Sequence, residues 1–65
     1  MSNNLKAIRE SRKMTQDQLA KASGVHRVAI AKHEVMDIGM TVETAVKLAD
    51  ALKCTVDELI GRKEA

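Results

Sequence analysis

The amino-acid sequence predicts an all-α fold of five short helices. Apolar residues recur with the 3.6-residue period of a helix, and no segment alternates long enough to indicate a strand. The chain carries four signals for the start of a helix. It has no proline, and three glycines separate the periodic segments. The apolar residues that follow the helical period are Leu5, Ile8, Leu19, Ala20, Ile30, Val42, Ala45, Leu48, Ala49, Leu52, Val56, Leu59 and Ile60.

The first helix is predicted over residues 4–12, and the second and fifth have the clearest starts. Thr15 and Gln18 have the spacing of a capping box, in which each side chain accepts the free backbone N–H of the other. Thr55 and Glu58 repeat the same pattern. We therefore expect helices to begin directly after both threonines.

The third and fourth helices have weaker start signals. Thr41 is a suitable cap for the fourth helix, whereas the third would begin at His26, which is not a preferred N-cap residue. Gly24 stands where the second helix would end in the left-handed conformation that glycine adopts at low cost. Val25 and Ile30 have the spacing of a hydrophobic staple, so Ile30 should face the core. Two short helices joined by such a turn form a helix-turn-helix.

Length and composition exclude several classes of protein. With 65 residues and no aromatic side chains, we expect one domain, residues 1–65, with an aliphatic core within residues 5–61. Cys54 is the only cysteine, which rules out an internal disulfide and indicates a small buried side chain in a reducing compartment. No membrane span, signal peptide, cofactor or metal site is expected, and no nucleophile–base set indicates an enzyme. The net charge of +2 is weak evidence for a polyanionic partner.

Nearly the whole chain carries a more specific pattern. Three stretches carry it in order along the chain: LKAIRESRKMTQDQLAKASGV, TVETAVKLADAL and TVDELIG. Ile30 and Glu34 lie between the first and the second stretch. In this pattern the sequence resembles the phage-repressor-like helix-turn-helix family, the Cro and XRE group. The resemblance implies a compact five-helix, lambda-repressor-like DNA-binding domain with its third helix in the major groove. It further implies a cytoplasmic, nucleoid-associated transcriptional repressor that binds a two-fold symmetric double-stranded DNA operator as a homodimer.

The resemblance and helix geometry together predict the residues that meet DNA. The resemblance implies that Arg27, Val28 and Lys32 face the bases, with Ala31 close by, and that Gln16 contacts a phosphate. If the third helix begins at Arg27, these four residues of that helix lie on the same side, facing away from the core. Arginine can bind guanine O6 and N7 together, and valine can pack on a thymine methyl group. The alternative for the two cations is an ordinary solvated helix face.

Five further positions follow from the resemblance or depart from it. An ion pair between Arg9 and Glu34 would tie the first helix to the third. His26 replaces the usual Ser or Thr, and it is either a mediocre surface cap or, when protonated, a phosphate contact. His33 stands where the family has an apolar or aromatic residue, and should be half-buried. Lys53 stands where the family favours glycine, so that a left-handed conformation would cost about 1 kcal/mol.

The dimer contact and the loop before the fourth helix leave alternatives open. The dimer-interface candidates are Val56, Leu59 and Ile60, which could equally belong to the core alone. The loop VMDIGM, residues 35–40, lacks the basic residues usual in the family, so DNA binding should be weaker and less salt-dependent. Its apolar side chains either fill the core or contact a second protein. The alternative function is therefore an antitoxin-like or regulatory interaction module whose main partner is another protein.

Overall fold

A computed structural model describes residues 3–36 and 40–61 of the chain. Within these ranges it contains five α-helices and no strand, so the all-α prediction is confirmed. The helices are α1 Leu5–Ser11, α2 Gln16–Ser23, α3 Arg27–Val35, α4 Val42–Leu52 and α5 Val56–Ile60. In this part of the chain no helix combines the length and apolar character needed to cross a membrane.

Threonine side chains cap α2, α4 and α5 as predicted. The hydroxyl of Thr15 accepts the Gln18 N–H at 3.1 Å, and Oε1 of Gln18 accepts the Thr15 N–H at 2.8 Å. Thr55 and Glu58 form the same box at 3.0 and 2.9 Å. Thr41 caps α4 through its side chain. Because each cap of this kind contributes about 1 kcal/mol relative to alanine, the helix starts are encoded locally.

Aliphatic side chains from all five helices, together with one residue of the turn between α2 and α3, form the core. Its buried members are Leu5, Leu19, Val25, Ile30, Ala45, Leu48, Ala49, Leu52 and Leu59. Three other residues that follow the helical period are partly buried against it, Ile8, Ala20 and Val56, and two are exposed. Val42 is 78% exposed and Ile60 is also exposed, because the buried face of α4 begins one turn after Val42, at Ala45, and α5 packs through Leu59.

The turn between α2 and α3 uses backbone conformations that the sequence signals. Gly24 ends α2 in the left-handed region at φ 77°, as predicted. A Cβ atom there would meet nothing within 4 Å, so the backbone angle alone favours glycine. Ser23 stabilises the turn by accepting the Val25 N–H at 3.1 Å while donating to the Leu19 carbonyl at 2.7 Å. Lys53 ends α4 in the same region at φ 56° without the advantage of glycine, as anticipated for this position.

Helix α1 packs against both α3 and α5. The Asn4 N–H donates to the Leu59 carbonyl at 2.9 Å, and the Asn4 side-chain amide donates to the Glu58 carbonyl at 3.0 Å. Helix α2 packs against α3 and α4. These contacts hold the α2–α3 pair from two sides, and the outer face of α3 is left uncovered by the described helices.

Candidate nucleic-acid interface

The start of α3 is capped by a histidine. His26 has an extended backbone, φ −61° and ψ 141°, and its Nδ1 accepts the Val28 N–H at 3.1 Å. This contact requires Nδ1 to be unprotonated, since only the unprotonated nitrogen offers a lone pair. His26 therefore fills the role usually taken by Ser or Thr, and protonation of Nδ1 would remove the cap.

The outward face of α3 includes the four residues predicted to meet the bases. Arg27, Val28 and Lys32 are exposed, and Ala31 is half-buried. Val28 is 49% exposed, so its side chain is accessible to a partner. Ile30 is completely buried on the opposite side, which confirms the inward orientation that the staple spacing predicted. The arrangement presents two cations and two short apolar side chains on one helix face.

Arg27 forms an ion pair that no sequence pattern predicted. Its Nε lies 3.0 Å from Oδ1 of Asp17, the second residue of α2. Both side chains are largely exposed, so the pair contributes little to folding, about 0–1 kcal/mol. Ten positions separate the two residues, and only the angle of the helix-turn-helix brings the two helix starts together.

A buried carboxylate connects α1, α2 and α3. Glu34, with a side chain only 3% exposed, binds the Arg9 guanidinium, with 2.6 Å between Oε2 and Nε. Arg9 also donates through Nη1 to the Met14 carbonyl at 2.6 Å. The hydrogen bond to Glu34 raises the pKa of Arg9 above its ordinary value, which keeps the guanidinium charged. The pair predicted to tie the first helix to the third is thus in direct contact.

Gln16, predicted to bind a phosphate, belongs to the same network. Its Nε2 donates to Oε1 of Glu34 at 3.0 Å. An amide nitrogen carries two hydrogens, so a second donor remains for another acceptor. Gln16 is the first residue of α2, where free backbone N–H groups and the positive end of the helix dipole favour an anion.

His33 lies half-buried near the start of α1, as expected from its place in the pattern. Its backbone carbonyl accepts the Asn3 side-chain amide at 2.9 Å. Within residues 3–36 and 40–61, its Nδ1 is buried without a hydrogen-bond partner.

The segment between α3 and α4 divides its apolar residues between core and surface. Met40 is half-buried and packs against the core, which agrees with the first of the two alternatives. Val35 is 81% exposed and Met36 is also exposed. Residues 37–39 of the predicted loop lie outside the described residues.

The three candidates for a dimer contact have different environments. Leu59 is completely buried, which agrees with the alternative that it belongs to the core alone. Val56 is half-buried against the core, and Ile60 is exposed. The periodicity could not separate them because all three follow a helical spacing.

Cys54 packs against the core in a half-buried position. Burial, with the nearby charge of Glu58, raises the pKa of its thiol above the ordinary value. A protonated thiol is a poor nucleophile and a poor metal ligand. Among the described residues, no three His, Cys, Asp or Glu side chains are grouped as metal ligands would be.

Comparison with known proteins agrees with this geometry. A family model described as helix-turn-helix matches residues 5–59. A curated relative, the control protein C.SmaI of Serratia marcescens, is 33% identical over 63 residues, which cover 97% of this chain and 75% of the relative. The cryptic phage CTXphi transcriptional repressor RstR of Vibrio cholerae is 39% identical over 62 residues, 95% of this chain and 52% of that protein. The chain thus spans three quarters of one relative and about half of the other.

Proposed function

Because the chain belongs to the phage-repressor-like, Cro/XRE-type helix-turn-helix family, a family of DNA-binding transcription regulators, we propose that it represses transcription by binding a two-fold symmetric operator as a homodimer. The observation that carries this proposal is the uncovered face of α3, with Arg27, Val28 and Lys32 exposed. One of the two relatives is named a transcriptional repressor and the other a control protein, which supports the same role.

In this proposal α3 lies in the major groove and its first turn reads the bases. Arg27 binds guanine through O6 and N7, and Val28 packs on a thymine methyl group. Ala31 is small enough to let the helix approach closely. Lys32, one turn further along, reaches a guanine or a phosphate.

Phosphate contacts in the proposal come from two helix starts. Gln16 offers its second amide hydrogen at the start of α2, held in place by Glu34. His26 stands at the start of α3, and its imidazole donates to a phosphate through Nε2 while Nδ1 keeps the cap. These contacts would position the protein on the duplex without adding base preference.

The dimer in this proposal places the two α3 helices one DNA turn apart, on half-sites about 10 bp from centre to centre. The exposed Ile60 and the half-buried Val56 are the proposed contacts. Ile60→Glu should shift the chain to a monomer in sedimentation experiments, whereas Val42→Glu, an equally polar change on another helix, should leave its mass unchanged. An unaltered mass for Ile60→Glu would remove α5 from the proposed interface.

The test of DNA binding is a selection from randomised duplexes, followed by electrophoretic shift at fixed salt. We expect the wild-type chain to enrich a palindromic site. Arg27→Ala should lose about 1–3 kcal/mol of binding free energy and relax the preference at one base pair in each half-site. Lys47→Ala, which removes a cation from α4, serves as the control and should retain the preference.

A second candidate function is favoured by one observation. Val35, Met36, Val42 and Val46 are exposed apolar residues at the end of α3 and the start of α4. Such side chains favour a protein partner, as in an antitoxin-like interaction module. If the selection enriches no site while the chain co-purifies with another protein, this second function replaces the first.

A further inference from the structure

The exposed ion pair at the candidate interface indicates a role for an acidic residue. We infer that Asp17 is a positioning residue for base recognition, which holds Arg27 so that its terminal nitrogens face a guanine. The inference rests on the proposed function, because it assigns Asp17 a part in the selectivity of the same site. The contact between Asp17 and Arg27 is the observation from which it starts.

The geometry leaves the useful edge of Arg27 available. Asp17 lies beside Nε, 3.0 Å away, on the side of the guanidinium next to its stem. Across the described residues, neither Nη1 nor Nη2 of Arg27 donates a hydrogen bond. Guanine recognition uses two parallel donors of the guanidinium fork. Asp17 therefore restricts the rotamers of Arg27 and leaves two donors free for the base.

The charge of Asp17 explains why this arrangement affects selectivity more than affinity. Asp17 is 75% exposed next to Gln16, where a phosphate is expected, so a lone carboxylate would repel the DNA backbone. Pairing with Arg27 offsets that repulsion only while Arg27 stays in the paired position. Lys21 and His26 line the same open groove between α2 and α3 and are the other polar groups beside the pair.

The position of both residues supports a role beyond folding. Arg27 is the first residue of α3 and Asp17 the second of α2, so each belongs to a helix start that faces outward. Neither side chain is buried, and the pair adds little to the stability of the domain. A contact that does little for folding, but fixes the first residue of the helix that meets DNA, is suited to setting selectivity.

The test is Asp17→Asn, which keeps the shape of the side chain and removes its charge. We expect the preference for the base pair that depends on Arg27 to fall by up to about fivefold, the upper limit for an exposed ion pair. Affinity for random-sequence DNA should stay constant or rise, because one negative charge is lost at the interface. Asp50→Asn, an equal charge change on α4, should alter neither quantity, and far-UV circular dichroism checks that both variants are folded.

The same comparison in an Arg27→Ala background separates the possible outcomes. With Arg27 absent, Asp17→Asn should no longer change base preference. Unchanged selectivity in the wild-type background would overturn the inference, and so would a change that persists without Arg27, since Asp17 would then contact a base itself. If the wild-type chain selects no site, the proposed function fails and the inference fails with it. If the wild-type chain selects a site and Asp17→Asn does not change its base preference, the inference fails while the proposed function stands.

Discussion

Glu34→Ala tests whether the connection between α1, α2 and α3 holds the domain together. The substitution removes the carboxylate that receives Arg9 and Gln16. Arg9, whose side chain is 11% exposed, would keep its contact with the Met14 carbonyl and lose its ion-pair partner. A charged guanidinium would then remain in a largely dehydrated position.

The size of the effect follows from burial. Removing one member of a buried ion pair costs about 3–5 kcal/mol, because the other charge stays desolvated without compensation. The remaining exposure of Arg9 allows partial rehydration, so we expect about 3 kcal/mol. A chain of 65 residues has a total stability of roughly 3–10 kcal/mol, so the loss is a large share of it.

The measurement is urea denaturation followed by far-UV circular dichroism, since the chain has no Trp or Tyr to report by fluorescence. A double-mutant cycle with Arg9→Met and Glu34→Leu isolates the pair. Each single variant should lose about 3 kcal/mol, and the double variant should be more stable than either, because no unpaired charge remains. Single losses below about 1 kcal/mol that simply add in the double variant would refute the argument, because they are typical of an exposed pair.

Three further predictions concern stability and reactivity. Lys53→Gly should stabilise the domain by roughly 0.5–1 kcal/mol. Glycine relieves the left-handed backbone strain of the folded state, and this gain in free energy exceeds the cost of the greater conformational entropy that glycine gives the unfolded chain. Its thermal midpoint should rise, and Lys47→Gly, inside α4, should lower it; a fall for Lys53→Gly would contradict the strain argument. Hydrogen bonds from the backbone and side chain of Thr55 hold the pKa of Glu58 below its ordinary 4.5, so its stabilising contribution is present above that pH. This contribution is lost as the pH falls through the lower folded value, so Glu58→Gln should flatten the acid limb of a stability profile; unchanged steepness would exclude Glu58 as a cause. Burial raises the pKa of Cys54, so at pH about 8 iodoacetamide should alkylate the folded chain more slowly than the urea-unfolded one, and equal rates would show that the thiol is freely accessible.

Local signals in the sequence were sufficient for most of the fold. The boxes at Thr15 and Thr55 and the glycine at position 24 each act through neighbouring backbone groups, so they could be recognised without tertiary information. Periodicity was less reliable at helix ends. Val42 follows the helical period but lies one turn before the buried part of α4. Its exposure depends on where the helices packed against α4 end, which the helical period does not encode.

The candidate site could be predicted only in part. The staple between Val25 and Ile30 determines which side of α3 faces outward, and this follows from spacing alone. The contact between Asp17 and Arg27 depends on the angle at which α2 meets α3, which no local pattern encodes. The burial of Leu59 likewise depends on the packing of α5 against α1 and α4, so sequence spacing left core and interface equally plausible.

The tie between Asn4 and α5 has a consequence for synthesis on the ribosome. Asn4 donates both its backbone and side-chain N–H groups to carbonyls 54 and 55 positions later, at Glu58 and Leu59. On the ribosome, α1 can dock on α3 first, but these two hydrogen bonds form only after α5 has been synthesised. Until then the core lacks Leu59, and the apolar side chains that would pack with it are incompletely buried. Full burial of the core therefore comes only after α5 has emerged.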